Sequence, residues 1–189
     1  MTDSTYEIVI RCKSGDMKAF QLLVEEYHTY AYRLALRILC SEEEAKDVVQ
    51  ESFIRVWRHI QKYDLRSKFT TWLYKIVTNL CYDNLKARKR RNRLFQTDSF
   101  KMDSNLLASN DDLEKDIGDR ELAEVIHNIA EELAPTQRIV FVLRDLQDIS
   151  IQEVVTITGI SKGAVKSNLY HARRHIRKKL EIINHIGEK

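Results

Sequence analysis

The sequence predicts an all-α protein built from long helices. Its 189 residues include only five glycines and one proline, so tight turns and helix breaks must be few. Charged residues make up 31% and hydrophobic residues 43% of the chain, a mixture typical of amphipathic helices. From residue 17 to residue 91, apolar side chains recur at intervals of three and four, with breaks near 39–42 and 64–68. We therefore expect about three helices in this part of the chain.

The second of these helices has a clear start and two dissimilar faces. Ser41 followed by Glu44 forms a capping-box pattern, which satisfies free backbone N–H groups at a helix N-terminus. One face repeats at core spacing and is apolar in all but one position: Ala45, Val49, Ser52, Phe53, Val56, Trp57 and Ile60. The opposite face mixes charges with one apolar residue: Asp47, Gln50, Glu51, Ile54 and Arg58. A single exposed apolar residue is ordinary, but Ile54 within this stripe is also a suitable anchor for a partner.

The third helix ends in a cationic segment. Six basic residues crowd together there, with no acid between Asp83 and Asp98: Lys86, Arg88, Lys89, Arg90, Arg91 and Arg93. Near the start of the helix, Trp72 and Tyr74 alternate with basic residues, which suits the binding of unstacked single-stranded bases and of phosphates. The same spacing is typical of core residues, so Leu73, Ile76 and Val77 are assigned to the core and the role of Trp72 stays open.

Residues 94–118 read as a linker between two domains. They lose helical periodicity and become rich in Ser, Asn and Asp, and acids outnumber bases from Asp98 to Glu121. Helical periodicity returns near Asp119, and Pro135 suits the first turn of a further helix. The sequence therefore predicts two small helical domains, 1–93 and 119–189, joined by a flexible acidic linker.

The second domain ends in a predicted helix-turn-helix. Ser150 can cap a short helix, Gly159 suits the left-handed conformation that ends it, and Ser161 can cap the next helix. That next helix has an apolar stripe for packing: Val165, Leu169, Ala172, Ile176 and Leu180. Its other side offers residues that can reach base edges in a major groove: Lys166, Ser167, Tyr170 and His171. Further along lie cations suited to phosphates: Arg173, Arg174, Arg177 and Lys178. The alternative is an ordinary helical hairpin with a solvated basic surface.

No pattern for catalysis or for a cofactor is present. The chain lacks G-x-x-x-x-G-K, G-x-S-x-G and H-E-x-x-H, so we expect neither an enzyme nor a bound small-molecule substrate. His171 and His175 have metal-ligand spacing, but no third ligand follows at a matching interval, and we expect no metal. The three cysteines lie far apart, as expected of free thiols in a reducing cytoplasm. The N-terminus has no signal-peptide pattern and the longest apolar run is too short to span a bilayer, so we expect a cytoplasmic protein without membrane insertion.

Three segments carry a resemblance to a known family. They are AKDVVQESFIRVWR at 45–58, KFTTWLYKIVTNLCYDNLKARKRR at 68–91, and LAPTQRIVFVLRDLQDISIQEVVTITGISKGAVKSNLYHARRHI at 133–176. In this order, with a variable linker between the second and third, they resemble the extracytoplasmic-function (ECF) sigma factors, the two-domain branch of the bacterial RNA polymerase sigma family. The resemblance covers nearly the whole chain.

The resemblance implies three binding surfaces. The first docks on the coiled coil of the largest subunit of core RNA polymerase: Asp47, Gln50, Glu51, Ile54 and Arg58. The second melts and reads the minus-ten promoter element: Arg66, Lys68, Trp72, Lys75, Asn79, Lys86, Arg88, Arg90 and Arg91. Within it, Trp72 corresponds to the upstream edge of the bubble and Asn79 to an extruded base. The third reads the minus-thirty-five element as duplex DNA: Ser161, Lys162, Lys166, Ser167, Asn168, Tyr170, His171, Arg173 and Arg174.

Some positions depart from the family pattern. The family commonly has Thr at the position of Ala164 and Arg at those of Asn168 and His171. Because each good side chain–base pair discriminates by ~1–3 kcal/mol, the recognised promoter sequence cannot be inferred from relatives. The turn at 147–150 also lacks a glycine often seen there. The resemblance further implies an inhibitory anti-sigma partner.

Two other functional classes fit parts of the pattern. A stand-alone helix-turn-helix repressor or activator would use its N-terminal half to sense a ligand or to dimerise, and would bind duplex DNA tightly without polymerase. A basic structural or RNA-binding protein would show no sequence preference and a steep salt dependence.

Overall fold

The computed structural model describes residues 3–95, 129–130 and 132–187, and every regular element in these ranges is helical. The elements are α1 (Asp3–Lys13), α2 (Met17–Leu39), α3 (Glu42–His59), a 3₁₀ turn (Ile60–Lys62), α4 (Phe69–Phe95), α5 (Pro135–Phe141), a π-helical stretch (Val142–Leu146), α6 (Ile151–Thr158) and α7 (Lys162–Gly187). The all-α prediction is confirmed. The predicted linker beyond Phe95 and the helical periodicity predicted from Asp119 lie outside the described residues.

Helix α1 is absent from the sequence-based expectation. It packs on α2 through Thr5, Val9 and Cys12, all of them buried. The turn that follows uses Gly15 at φ 87°, a left-handed conformation that favours glycine. Asp16 then caps α2, because its side chain accepts hydrogen bonds from the backbone N–H groups of residues 18 and 19.

Helices α2, α3 and α4 enclose the N-terminal core. Its largest fully buried side chains include Leu23, Leu34, Ile38, Val56, Phe69, Leu73 and Val77. The predicted core face of α3 is buried apart from Trp57, which is half-buried. The predicted capping box at the start of α3 forms only in part: Ser41 Oγ accepts from the Glu44 N–H at 3.4 Å, but Glu44 Oε2 is buried without a hydrogen-bond partner among the described residues. The second hydrogen bond of a capping box, in which the Ser41 N–H would donate to the Glu44 carboxylate, is not present among the described residues.

Helices α5, α6 and α7 form the C-terminal domain, and α6–α7 is a helix-turn-helix. The predicted caps are present: Ser150 Oγ accepts from the Glu153 N–H, Gly159 takes φ 73°, and Ser161 Oγ accepts from the Ala164 N–H. In the predicted stripe of α7, Val165, Leu169, Ala172 and Ile176 are buried and Leu180 is half-buried. In the turn before α6, where the family often has glycine, Asp148 takes φ 49°, and aspartate is one of the few residues that tolerate this conformation.

The two domains pack against each other along α4 and α6, and buried side chains of both domains contribute to one large core cluster. A second, smaller cluster, which includes Phe141, Ala172 and Ile176, lies within the C-terminal domain. Four hydrogen bonds between described residues cross the contact between the domains, which we call the seam; one of them runs from Arg138 Nη1 to Cys40 Sγ at 3.7 Å. Arg138, only 3% exposed, donates from Nη1 to the Ile38 carbonyl at 2.8 Å. Arg37 donates to the carbonyl of residue 146 at 2.9 Å, and Thr71 Oγ1 donates to Glu153 Oε1 at 2.6 Å.

Candidate nucleic-acid interface

One side of α4 carries a row of polar and cationic side chains, which we call the α4 row. Its members follow one another at intervals of three, four or seven residues: Lys68, Trp72, Lys75, Asn79, Lys86 and Arg90. These intervals place them on one side of a helix of about 3.6 residues per turn. All are exposed except Trp72, which is half-buried. Arg88 and Arg91, which the resemblance assigned to the same surface, lie on other sides of α4.

The loop before α4 supports the start of this row. The buried Tyr63 ring lies 4.8 Å from the Trp72 ring, and Phe69 lies 5.8 Å from Trp72, measured between centroids. Trp72, whose role the sequence left open, thus has one part in an aromatic cluster and another part at the surface. Arg66 forks onto Asp64 at 2.7 and 3.0 Å, and hydrogen bonding from Arg66 lowers the pKa of the Asp64 carboxyl to about 2. The ion pair keeps the Arg66 side chain close to the loop.

The side of α4 next to the row belongs to the seam. Thr71 bonds Glu153 there, and Tyr74 is half-buried. Burial is the main cause that raises the pKa of the Tyr74 hydroxyl, and nearby Tyr30 adds to it. Tyr74, which the sequence grouped with Trp72 as a candidate for stacking on bases, is therefore partly buried, and less of its ring is available to a base.

The exposed face of α7 carries most of the residues predicted for duplex DNA. Six of them are exposed and belong to no hydrogen bond described below: Lys162, Lys166, Ser167, Tyr170, His171 and Arg174. The remaining three have partners within the protein. Ser161 caps α7, Asn168 Nδ2 donates to the Ala164 carbonyl at 2.8 Å, and Arg173 forks onto Asp145 at 2.6 and 2.8 Å. Arg173 therefore links α7 to the π-helical stretch, and the Asn168 amide is bound to the backbone of α7.

His171 and His175, the two histidines with metal-ligand spacing, belong to no group of metal ligands among the described residues. His175 Nε2 lies 3.1 Å from Glu132 Oε2, and Lys179 donates to the other oxygen of that carboxylate at 2.7 Å. Across the part of the chain that the structure describes, no group of three or more His, Cys, Asp or Glu side chains is arranged to hold a metal ion. In the same part, no helix combines the length and the apolar character needed to cross a membrane.

A groove of about 710 Å³ lies between α2 and α3. Three residues of the predicted polymerase-binding stripe line it: Gln50, Ile54 and Arg58. Of the other two, Asp47 is exposed outside the lining, and Glu51 accepts from Arg55 at 2.8 Å along the helix. The apolar lining from α2 was absent from the sequence-based expectation: Met17, Phe20 and Val24. Phe53 and Trp57, which also line the groove, were predicted only as part of the core face of α3. The spacing of three and four residues between the α2 members could have revealed them.

The fold and these surfaces define a two-domain helical protein with a helix-turn-helix and a separate apolar groove, as in sigma factors. The family Sigma-70 region 2 matches residues 23–91, and the family Sigma-70, region 4 matches residues 123–176. The chain is 34% identical over 172 residues to the ECF RNA polymerase sigma factor SigW of Bacillus subtilis, covering 89% of this chain and 92% of that one. It is 30% identical to the RNA polymerase sigma-H factor of Pseudomonas aeruginosa, covering 93% of each.

Two solved structures share the fold. One is the sigma factor RpoE in complex with the anti-sigma factor NepR from Bartonella quintana, with a TM-score of 0.67 and 19% identity over 87% of this chain and 98% of that one. The other is CnrH in complex with the cytosolic domain of CnrY, with a TM-score of 0.66 and 23% identity over 95% and 99%. With the sequence matches, the conclusion is direct: the chain belongs to the ECF RNA polymerase sigma factors, which act in transcription initiation.

Proposed function

We propose that the α4 row, together with Arg66, reads and melts the minus-ten promoter element. The observation that carries this proposal is that Trp72, Lys75 and Asn79 share one accessible side of a helix whose start is fixed by an aromatic cluster. An aromatic ring beside polar and cationic groups can replace the stacking that a base loses when it leaves the duplex, while the cations neutralise phosphates. Arg88 and Arg91 would add to the local positive potential from other sides of the helix.

The exposed face of α7 is proposed to read the minus-thirty-five element. Lys166, Ser167, Tyr170 and His171 are free to enter a major groove, while Arg174 lies further along the helix, where it can bind a phosphate. Asn168 and Arg173 are included in this surface on the condition that DNA displaces their partners within the protein, the Ala164 carbonyl and the Asp145 carboxylate. Binding, not covalent chemistry, is the whole of this activity, and the protein is proposed to act in the cytoplasm.

The groove between α2 and α3 is proposed as the docking site for core RNA polymerase. Its apolar lining around Ile54, edged by Gln50 and Arg58, is suited to a helix with an apolar stripe and polar flanks. We assign the polymerase and minus-ten surfaces to a domain over 1–93, the linker to 94–118 and the minus-thirty-five surface to 119–189. Both structures that share the fold hold a bound partner, called an anti-sigma factor in one of them, and we propose such a partner for this chain.

The seam has to open before both promoter elements are bound. Elements at minus ten and minus thirty-five are about 25 base pairs apart, or about 85 Å at 3.4 Å per base pair. In the closed arrangement, the distance from Asn79 to Lys166 cannot exceed the length of a route that follows α4 to Thr71, crosses the hydrogen bond to Glu153, and follows α6 and the turn to Lys166. At about 1.5 Å per helical residue and about 3.4 Å per turn residue, this route is shorter than about 60 Å. The closed arrangement therefore cannot span the two elements.

The proposed function is tested by run-off transcription on a library of promoter fragments, with purified bacterial core polymerase and with co-elution from core scored in the same preparation. We expect Asn79→Ala to lower promoter-selective initiation about tenfold, the value of one good base contact, without changing co-elution. Asn92→Ala is the matched control, since Asn92 is an exposed residue of α4 outside the row. Equal loss of initiation and core binding in Asn79→Ala would contradict the assignment. No association with core, together with tight duplex binding by the protein alone, would favour a stand-alone repressor.

A further inference from the structure

The end of α1 is attached to the loop that precedes α4. Lys13 Nζ donates to the Tyr63 carbonyl at 2.8 Å, and the Gln61 side-chain amide donates in the opposite direction, to the Lys13 carbonyl. The two bonds join residues 48 and 50 positions apart in the chain. Helix α1 lies wholly before residue 23, where the match to the region 2 family begins.

Lys13 itself is held in place by the turn between α1 and α2. Arg11 forks onto Asp16 at 2.8 and 3.0 Å, and Asp16 is at the same time the cap of α2. The turn includes Gly15 in a left-handed conformation. The Lys13 ammonium is therefore presented to the loop from a well-anchored helix end.

The residue that Lys13 holds is the centre of the loop. Tyr63 is 3% exposed, its hydroxyl donates to the Ser67 carbonyl, and its ring packs against both Phe69 and Trp72. A change in the Tyr63 backbone is passed directly to Trp72, because their ring centroids are only 4.8 Å apart. Arg66 lies between these contacts in the chain and is fixed to Asp64.

We propose that Lys13 is a positioning residue for the promoter-reading surface: through Tyr63 it sets the orientation of Trp72 and of the loop that carries Arg66. The inference rests on the proposed function of that surface. It assigns a role in promoter opening to a helix outside the matched family region. Lys13 does not contact DNA in this role, since its ammonium is directed at a backbone carbonyl.

The variants are Lys13→Met, which keeps the aliphatic chain and removes the donor, and Lys13→Arg, which keeps a donor. Lys18→Met is the matched control, because it removes the same charge from an exposed position on α2. The first readout is the indole N–H signal of Trp72 in two-dimensional NMR, assigned with Trp72→Phe. The second is run-off transcription from promoters selected with the wild-type protein, on normal duplex and on templates already unpaired over the minus-ten element.

We expect Lys13→Met to shift the Trp72 signal and to lower transcription from duplex templates about tenfold, which corresponds to about 1.4 kcal/mol, with most activity restored on unpaired templates. Core co-elution stays unchanged, Lys13→Arg resembles wild type, and Lys18→Met changes neither readout. An unshifted Trp72 signal in Lys13→Met, or equal loss on both templates, overturns the positioning role. If the wild type itself yields no promoter-selective transcript, the proposed function fails, and the Trp72 signal alone still decides whether Lys13 orients this residue.

Discussion

Replacing Arg138 with methionine is expected to weaken the seam and to uncouple the two domains. The guanidinium is buried and donates to the Ile38 carbonyl across the seam and to the Ala130 carbonyl within its own domain, at 2.8 and 2.9 Å. Methionine fills similar space but has no donor, so both carbonyls lose these bonds. Hydrogen bonds to a charged group contribute ~1.5–3 kcal/mol each, and relief from burying the charge offsets part of the loss. We expect the free energy of unfolding to fall by about 3 kcal/mol.

The assay is urea unfolding followed by two signals. Both tryptophans, Trp57 and Trp72, lie in the N-terminal domain, so their fluorescence reports that domain, while far-UV circular dichroism reports all helices. Because one core cluster contains buried side chains of both domains, we expect the two transitions to coincide in the wild type. In Arg138→Met, part of the dichroism is lost before the fluorescence changes. The matched control is Arg144→Met, which breaks an exposed pair with Asp148 and is expected to cost less than about 1 kcal/mol. Equal stability of the two variants would refute the reasoning.

Two further predictions concern titratable groups. Cys12 and Cys81 are buried, and burial raises the pKa of the Cys12 thiol to about 11. We therefore expect a thiol reagent added to the native protein to label the half-buried Cys40 first, which peptide mass spectrometry would detect. The hydrogen bond from Lys179 lowers the pKa of the Glu132 carboxyl in the folded protein. The ionised carboxylate therefore stabilises the folded state fully above the ordinary pKa of about 4.3, and this stabilisation is lost as the pH falls through the lowered pKa. Glu132→Gln is therefore less stable than wild type near neutral pH, by less than about 1 kcal/mol, and the difference disappears once the pH lies below the lowered pKa of Glu132. A difference in urea midpoint that does not change with pH would contradict this.

The elements predicted well from the sequence are those specified locally. Ser150, Gly159 and Ser161 mark the ends of the helix-turn-helix through hydrogen bonds or backbone angles that involve only neighbouring residues. The stripes of α3 and α7 follow from periodicity alone. Helix α1 was missed because its apolar residues do not form one clean stripe: Tyr6 and Ile10 are exposed although Val9 is buried. A helix of 11 residues depends on tertiary packing, which a local pattern does not contain.

The exposure of most candidate site residues follows from helical spacing, but their pairings do not. The exposed row on α4 could be predicted from helical spacing alone. By contrast, Arg173 bonds Asp145, 28 residues earlier, and Tyr74 is partly buried beside Tyr30 and Arg37 of α2. The seam could not be predicted, because the Arg138–Ile38 bond joins residues 100 positions apart across a linker whose composition indicates only mobility.

The seam also has a consequence during synthesis on the ribosome. The Ile38 carbonyl is made 100 residues before its partner Arg138. At a synthesis rate of ~5–20 residues per second, ~5–20 s pass between the synthesis of Ile38 and that of Arg138, and the seam side of α4 stays uncovered during this time. Over that interval the groove between α2 and α3 is already complete, since both helices lie before residue 60. A nascent chain therefore has the groove proposed to bind core polymerase before it has the domain that packs on α4.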